Sequence, residues 1–350
     1  MLKVGIVGLK RGMTFVDIAK IHPEVKLVAV CDLDESKVEA AAKIEGVEAG
    51  YTDYYKFLEH DLDIVVLATS ISDHVSHTIS ALELDRHVLC EVTAVHTIDE
   101  SELLVNAVKA SKGKYMMAEN CYFWAFIDSW DKIVRQGRLG EIMYAEAEYI
   151  HDVRYLMKDS KGNPTWRASM SPIHYCTHSL GPLLRIMDDR CVSVSGLHTG
   201  AKIFPQYSKM DMEVGIFKTQ KGAVIKVLAG FALCREPHFH YYSMYGTKGC
   251  LETKRPGNGE GTLAYFEDTP NLNGMISLPF NDIHPWANRA WRIGHGTADY
   301  LMFNAFVRSI INNAEPPVDV YKALDYTLPG LCAHISAERG GESVTIPDFR

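Results

Sequence analysis

Over its first 120 residues the chain switches repeatedly between continuous apolar runs and helical spacing, and this alternation limits the possible folds more than any other feature. KVGIVGL is apolar after its leading lysine, MTFVDIAKIHP has helical spacing and stops at a proline, VKLVAVCD is apolar from Leu27 to Cys31, and SKVEAAAKIEG is helical and closes on glycine. DIVVLAT, the helical HVSHTISALELD, HVLCEV, a helical stretch from Ile98 to about Ser111, and KYMMAEN continue the series. Strands that are apolar along their whole length are buried on both faces, and the intervening helices supply the covering layers of a doubly wound parallel sheet.

After Asn120 the rhythm changes. Asp128 to Gln136 is helical, and then EIMYAEAEYIHDV, MEVGIFKT, AVIKVLAGFA and HYYSMYGTKGCLET alternate polar with apolar residues, joined by turn signals such as QKG and GTKG. That pattern predicts an open, largely antiparallel sheet, with Thr297 to Asn312 returning to helical spacing. The expected architecture is an α/β nucleotide-binding domain over residues 1–121. An α+β domain over 122–350 would carry the substrate-binding and oligomerisation surfaces.

The first strand runs into G-L-K-R-G, where Gly8 ends the strand and Gly12 opens the helix. A dinucleotide-binding turn ordinarily reads G-x-G-x-x-G, because glycine lets the backbone approach a pyrophosphate that the helix N-terminus then stabilises. Lys10 stands at the middle glycine position and Met13 at the last, so Lys10 and Arg11 either crowd the phosphates or contact them. Asp32 ends the second strand 24 residues after Gly8, where a carboxylate accepts ribose hydroxyls and repels a 2′-phosphate. Gly8, Leu9, Lys10, Arg11, Gly12, Met13 and Asp32 therefore form the expected cofactor-binding set of a Rossmann domain, with NAD favoured over NADP. The plainer reading of Asp32 is a strand-end helix cap.

Composition excludes several other classes. A net charge of −8 lacks the basic footprint of a nucleic-acid binder. The 8 cysteines are scattered without a C-x-x-C, offering neither a zinc cage nor a disulfide framework, as expected of reduced thiols in a cytosol. No apolar run approaches the roughly 18 residues of a membrane span, so a cytoplasmic protein without a membrane partner is expected.

Bases, acids and a cation crowd into residues 148–178: Glu148, Tyr149, His151, Trp166, Arg167, His174 and His178. Tyr149 and His151 are two apart on one strand and project to the same face. His174 and His178 are four apart, so on one helix their imidazoles would share a surface. That spacing also suits a metal with Glu148 or His151 as third ligand, or plain structural caps. Arg167 beside Trp166 is either a cation–π stack or a clamp on a polar substituent. His238 and His240 beside Tyr241 and Tyr242 read as a polar strand, and His295, near Asp299 and Tyr300, is a candidate pocket residue.

The order GIVGL, VCD, ATSISDHVSHTISAL, HVLCEVTA and YMMAEN resembles the Gfo/Idh/MocA oxidoreductases over essentially the whole chain. The resemblance implies that Thr69, Ser70, His74 and Glu91 lie along the cofactor and Asn120 near the nicotinamide. It also implies a lysine after Glu91 for proton transfer from the substrate hydroxyl, but this chain reads Glu91-Val92-Thr93.

EYIHD, TWRAS, HYCTHSLGP, GHGTADYLM and DVYKALDYTLPG further resemble the NAD-dependent glycosidase branch, typified by bacterial α-N-acetylgalactosaminidases. There a glutamate, a Tyr-x-His pair and a histidine in a Thr-His-Gly-Leu-Gly-Pro run surround the sugar. These correspond to Glu119, Tyr149, His151 and His178, with Ser179 in place of the glycine. The implied reaction is redox-neutral and needs no metal. Oxidation at C3 acidifies the C2 proton, a base removes it, the C1 group leaves, water adds, and the C3 alcohol is restored.

Tyr149 is then the expected C2 base. A free phenol titrates near about 10, so it needs a partner such as His151 to act near neutrality. His178 is the expected base for the C3 hydroxyl, and His174 an accessory base. Glu119, Trp166, Arg167 and His295 are the expected substrate contacts. Two other classes stay open: an NAD-dependent dehydrogenase acting on a sugar or cyclitol, and a catalytically silent NAD-binding regulator. An open sheet face would need covering, so a homo-oligomer (dimer or tetramer) is expected.

Overall fold

The computed structural model describes residues 1–257, 261–278 and 293–350, which group into two compact units. The first comprises Met1–Asn120, Ile283–Leu324 and Phe349–Arg350, and the second Cys121–Asp282 and Asp325–Asp348. A change of rhythm at Asn120 suggests one cut, whereas each unit is assembled from separated segments.

In the first unit, strands β1 (Leu2–Val7), β2 (Val25–Cys31), β3 (Ala49–Tyr51), β4 (Ile64–Leu67), β5 (His87–Cys90) and β6 (Tyr115–Met117) form a six-stranded sheet in the order β3-β2-β1-β4-β5-β6. All its pairings are parallel. The strand order reverses beside β1, which is where such sheets bind ligands. Ile64, Val65, Val66 and Leu67 are all fully buried, as a central strand covered on both faces requires. Among the helices are α1 (Met13–Ile21), after the glycine loop, and α4 (Ile71–Leu82), after β4. The helix Thr297–Ile311 belongs to this unit because its apolar face packs on α1, with the rings of Phe15 and Phe303 6.4 Å apart. At the same contact, His22 Nε2 lies 3.2 Å from Asn304 Oδ1.

The second unit is built on strands β7 (Ile142–Ile150), β8 (Cys191–His198), β9 (Met212–Thr219), β10 (Val224–Gly230), β11 (Phe239–Gly246), β12 (Gly249–Thr253), β13 (Thr262–Phe266), β14 (Ile276–Leu278) and β15 (Val344–Thr345). They form one nine-stranded sheet, β14-β13-β12-β11-β7-β10-β9-β8-β15, open at both edges. Among the described residues only β7 and β10 pair in parallel.

Alternation along β7 sets the two faces. Ala145, Ala147 and Tyr149 share one, and Ala145 and Ala147 are fully buried where the helix Thr177–Met187 packs. Tyr144, Glu146 and Glu148 share the other with Ile216 and Val224 of β9 and β10, which remain 44% and 36% exposed.

Candidate functional site

The loop after β1 is shaped by its glycines. Gly8 has φ +87°, and a Cβ there would fall 2.3 Å from the Ala68 carbonyl oxygen. A Cβ on Gly12, which precedes α1, would fall 2.4 Å from the Gly8 oxygen. Neither position accepts a side chain, so the backbone at the N-terminus of α1 stays bare, as close approach of a pyrophosphate requires. Lys10 is exposed, whereas Leu9 is buried and donates its N–H to Asp32 Oδ2 at 2.6 Å. Asp32 also accepts from the Asp34 amide at 2.9 Å, so it holds the loop against the end of β2. At the end of β4, Thr69 Oγ1 is buried with no hydrogen-bond partner among the described residues, which suits a polar ligand there. Ser70 precedes α4 without capping it through its side chain. These features fit a dinucleotide.

His74 is fully enclosed, its Nδ1 2.8 Å from the Thr93 oxygen and its Nε2 3.3 Å from the Thr69 oxygen. Burial pushes this imidazole below its ordinary range, and its Nδ1 contact ties α4 to the segment after β5. Arg11 turns to protein carboxylates. Its Nε donates to Glu91 Oε1 at 2.7 Å, and its two terminal nitrogens donate to Asp299 at 3.0 Å each. Asp299 also accepts from Asn120 Nδ2 at 3.0 Å and from the His295 amide at 2.8 Å. Burial alone would raise this carboxyl, but hydrogen bonds from His295 and Arg11 and the Arg11 charge outweigh it, holding Asp299 well below the usual carboxylate range. His295 itself is exposed, two residues before the helix Thr297–Ile311, with its Nδ1 3.2 Å from Asp299 Oδ2. Glu119 is fully buried after β6, and Val92, at the family's lysine position, is 4% exposed.

In the second unit a ring cluster gathers around Tyr149. Its hydroxyl lies 2.9 Å from His151 Nδ1. His240 is its register partner on β11, and the two rings stack at 4.6 Å. His178 stands edge-on to Tyr149 at 5.4 Å, and Phe231 and Tyr175 complete the surround at 5.8 and 6.4 Å. Arg167 lies over Trp166 at 4.5 Å and Tyr175 at 4.8 Å, donating to the Tyr175 hydroxyl at 2.8 Å. The geometry is the stacked guanidinium of the cation–π reading, set on Trp166 and Tyr175.

Pro182 sets the position of His178 within the helix Thr177–Met187. A proline has no N–H, so the bond from residue 182 to the His178 carbonyl cannot form. The Tyr242 hydroxyl donates to that carbonyl instead, at 2.6 Å. Four-residue spacing suggests that His174 and His178 share a face, but His174 sits on the preceding 3₁₀ turn Pro172–Tyr175. Its ring meets His334 edge-on at 5.2 Å, and His334 Nδ1 lies 2.8 Å from Glu213 Oε1. Glu148 points to the opposite face and is bound by both terminal nitrogens of Arg255, at 2.8 and 2.6 Å.

His240, which the sequence reads only as part of a polar strand, is set against Tyr149 by the fold. The signal was present, since HFHYY read backwards against EYIHD sets His240 opposite Tyr149, but the antiparallel register cannot be chosen without the turn between distant strands.

Residues 2–119 match the family model for the Gfo/Idh/MocA oxidoreductases, an NAD-binding Rossmann fold. Residues 193–350 match the C-terminal domain of glycosyl hydrolase 109. The chain thus carries a Gfo/Idh/MocA-type NAD-binding domain followed by a glycosyl hydrolase 109 C-terminal domain. It is similar to a glycosyl hydrolase family 109 protein of Porphyromonas gingivalis, at 26% identity over 99% of this chain and 84% of that one. One from Bacteroides fragilis is 27% identical over 100% and 85%. Among solved structures, levoglucosan dehydrogenase in complex with NADH and L-sorbose shares the fold, with a TM-score of 0.85 at 18% identity over 99% of both chains. So does scyllo-inositol dehydrogenase from Lactobacillus casei, with a TM-score of 0.79 at 18% identity over 99% of both. The two matched domains together support an NAD-dependent enzyme of the glycoside hydrolase or sugar oxidoreductase class. Among the described residues no helix is long and apolar enough to cross a membrane.

Proposed function

We propose that the protein cleaves a glycoside by a redox-neutral route in which the sugar is oxidised at C3 and later reduced again. The observation that carries this reading is the 2.9 Å contact between the Tyr149 hydroxyl and His151 Nδ1, inside a cluster that also holds His178 and His240. NAD, when bound, accepts the C3 hydride at the start and returns it at the end.

The protein's own groups move the protons. His178 takes the C3 hydroxyl proton, the task that a lysine at position 92 would otherwise perform. With C3 a ketone, the C2 proton is acidic, and Tyr149 removes it after passing its own proton to His151. The C1–O bond then breaks to give an enone, and the proton held by His151 passes to the departing oxygen, which leaves as an alcohol. Water adds to C1 and gives its proton to His151. C2 is reprotonated from Tyr149, which recovers a proton from His151 across their 2.9 Å contact, and His178 returns its proton to the C3 oxygen. A hydrolase acting by direct displacement would instead need two carboxylates about 5–9 Å apart across the bond. Glu148, the acid nearest in sequence to Tyr149, is bound to Arg255 on the other face of the sheet.

Three supports come from the comparisons and the fold. The curated relatives are named glycosyl hydrolase family 109 proteins. The glycine cradle fits a dinucleotide, and Asp32 favours NAD over NADP. The open sheet face, with Ile216, Val224 and Tyr245 partly exposed, favours a homo-oligomer that covers it. Screening 4-nitrophenyl α- and β-glycosides while following NADH absorbance tests the reading. Release of nitrophenol without accumulating NADH supports it. Stoichiometric NADH without glycoside cleavage identifies a sugar dehydrogenase instead.

A further inference from the structure

We infer that His240 is a positioning residue for Tyr149: it sets an imidazolium against the face of the phenol ring and so favours the phenolate that takes the C2 proton. The inference deepens the elimination reading above and rests on it. It begins from strand register. Tyr149 of β7 and His240 of β11 are direct partners in the antiparallel ladder, with Ile150 and Phe239 as the next pair. Side chains directly opposite each other in such a ladder have Cβ atoms about 4.5–5.5 Å apart on one face of the sheet. The backbone alone therefore brings the imidazole to the phenol.

The ring geometry gives the contact its chemistry. His240 stacks on Tyr149 with centroids 4.6 Å apart and planes 20° from each other. It is also parallel to Tyr242, two residues along β11, at 6.3 Å and 2°. A cation over a phenol ring, within about 6 Å of its centroid, is attracted by the electron-rich face. Tyr149 thus favours the charged imidazole and gains from it in return, because a phenolate spreads its negative charge into the ring. An opposite charge about 4–6 Å away moves a titration midpoint by about 1–3 pH units.

The neighbouring groups divide the remaining tasks. His151 Nδ1 meets the Tyr149 hydroxyl at 2.9 Å, so it receives the proton rather than facing the ring. His178, from the helix Thr177–Met187, stands edge-on to both rings, 89° from Tyr149 and 74° from His240. Tyr175 is near-parallel to Tyr149 at 6.4 Å, but as a phenol it brings no positive charge. Trp124 meets His240 edge-on at 4.9 Å, and the Tyr242 hydroxyl donates to the His178 carbonyl. His238, just before β11, packs on His151 at 4.8 Å. The Glu148–Arg255 pair lies on the other face of the sheet. Of these groups, His240 is the one that both lies flat on Tyr149 and can carry a positive charge.

The test uses the whole protein with its tyrosines carbon-13 labelled at Cζ and follows the ionisation of Tyr149 by NMR across pH. Tyr149→Phe assigns the signal. His240→Phe keeps a flat ring and loses the charge, whereas His240→Gln loses both. In each variant the Tyr149 midpoint should rise by about one pH unit or more, a tenfold loss of phenolate at a given pH. With NAD bound and a cleavable glycoside present, both variants should still form NADH. Exchange of the C2 hydrogen with deuterium oxide should slow about tenfold and recover as pH is raised. An unchanged Tyr149 midpoint in either variant would overturn the inference, whatever the protein does to glycosides. A raised midpoint with C2 exchange unslowed would uphold the coupling of the two rings and reject Tyr149 as the C2 base.

Discussion

Arg11 and Asp299, 288 positions apart, meet in a two-pronged ion pair with both contacts at 3.0 Å. Arg11 stands in the loop where a cation would be expected to meet a pyrophosphate. Instead it joins Glu91 at the end of β5 to a fully buried carboxylate that also holds the Asn120 amide. The loop, the strand end and the start of the helix Thr297–Ile311 are thereby fixed to one another. Arg11 is thus engaged by protein carboxylates, whereas Lys10 in the same loop is exposed.

The pair makes a stability prediction. Removing one partner of a buried ion pair costs about 3–5 kcal/mol, because the other charge stays buried. Asp299→Asn should therefore lower the melting temperature markedly and weaken NAD binding. The pH dependence follows from the depressed folded-state pKa of Asp299. Its contribution is complete above the unfolded carboxylate value of about 4 and is lost as pH falls through the folded value. Scanning fluorimetry from pH 7 down to pH 3 should show the wild-type advantage over Asp299→Asn shrinking only at the acid end. A constant difference, or none, would show that the pair contributes little.

Cofactor choice rests on Asp32. The wild type should bind NAD far more tightly than NADP, and Asp32→Ala should narrow the gap. The variant also loses the 2.6 Å acceptor of the Leu9 amide, so NAD affinity itself should fall as well. Fluorescence titration with both cofactors decides it, and equal wild-type affinities would remove the argument.

The two proton-transfer roles separate by kinetics. When substrate meets the NAD-loaded enzyme, His178→Ala should abolish transient NADH formation. Tyr149→Phe should still form NADH and the 3-keto sugar but stall before the leaving group departs. General acid–base groups contribute about 10²–10⁴-fold, so either loss should be plain in a stopped-flow trace. Tyr242→Phe, which removes the donor to the His178 carbonyl, should weaken the same early step by less while leaving NAD affinity unchanged. Near-wild-type turnover in both His178→Ala and Tyr149→Phe would exclude these assignments.

Much of this was legible in the sequence, for identifiable reasons. Continuous apolar runs announced β1, β2, β4 and β5, since a strand buried on both faces has no other composition available. The three-residue β3 was not legible, nor was the five-residue helix Tyr54–Leu58, because neither is long enough to show a period. The helix Val320–Glu338 was hidden by Pro329-Gly330 within it, a pair that normally signals a turn. There Gly330 sits so close to the Ile173 carbonyl that a Cβ would fall 2.4 Å from it, so tertiary packing selects the glycine. Tyr149 and His151 were visible as neighbours on one strand face. The place of His240 was not, because only strand register brings it to Tyr149, and the four-residue spacing of His174 and His178 did not show that the helix begins only at Thr177.

Assembly is testable by mass. The face bearing Ile216, Val224 and Tyr245 is the proposed subunit contact, so Ile216→Asp combined with Val224→Asp should shift the protein toward monomer in light scattering. A wild-type protein that is monomeric at micromolar concentration would reject the proposal.

The central claim is that a base takes the C2 proton before the glycosidic bond breaks. Hydrolysis carried out in deuterium oxide, with the released sugar analysed by NMR, tests this most directly. The account predicts deuterium at C2 of the product and no net accumulation of NADH. Product with its original C2 hydrogen intact would contradict elimination and return the protein to direct displacement at C1.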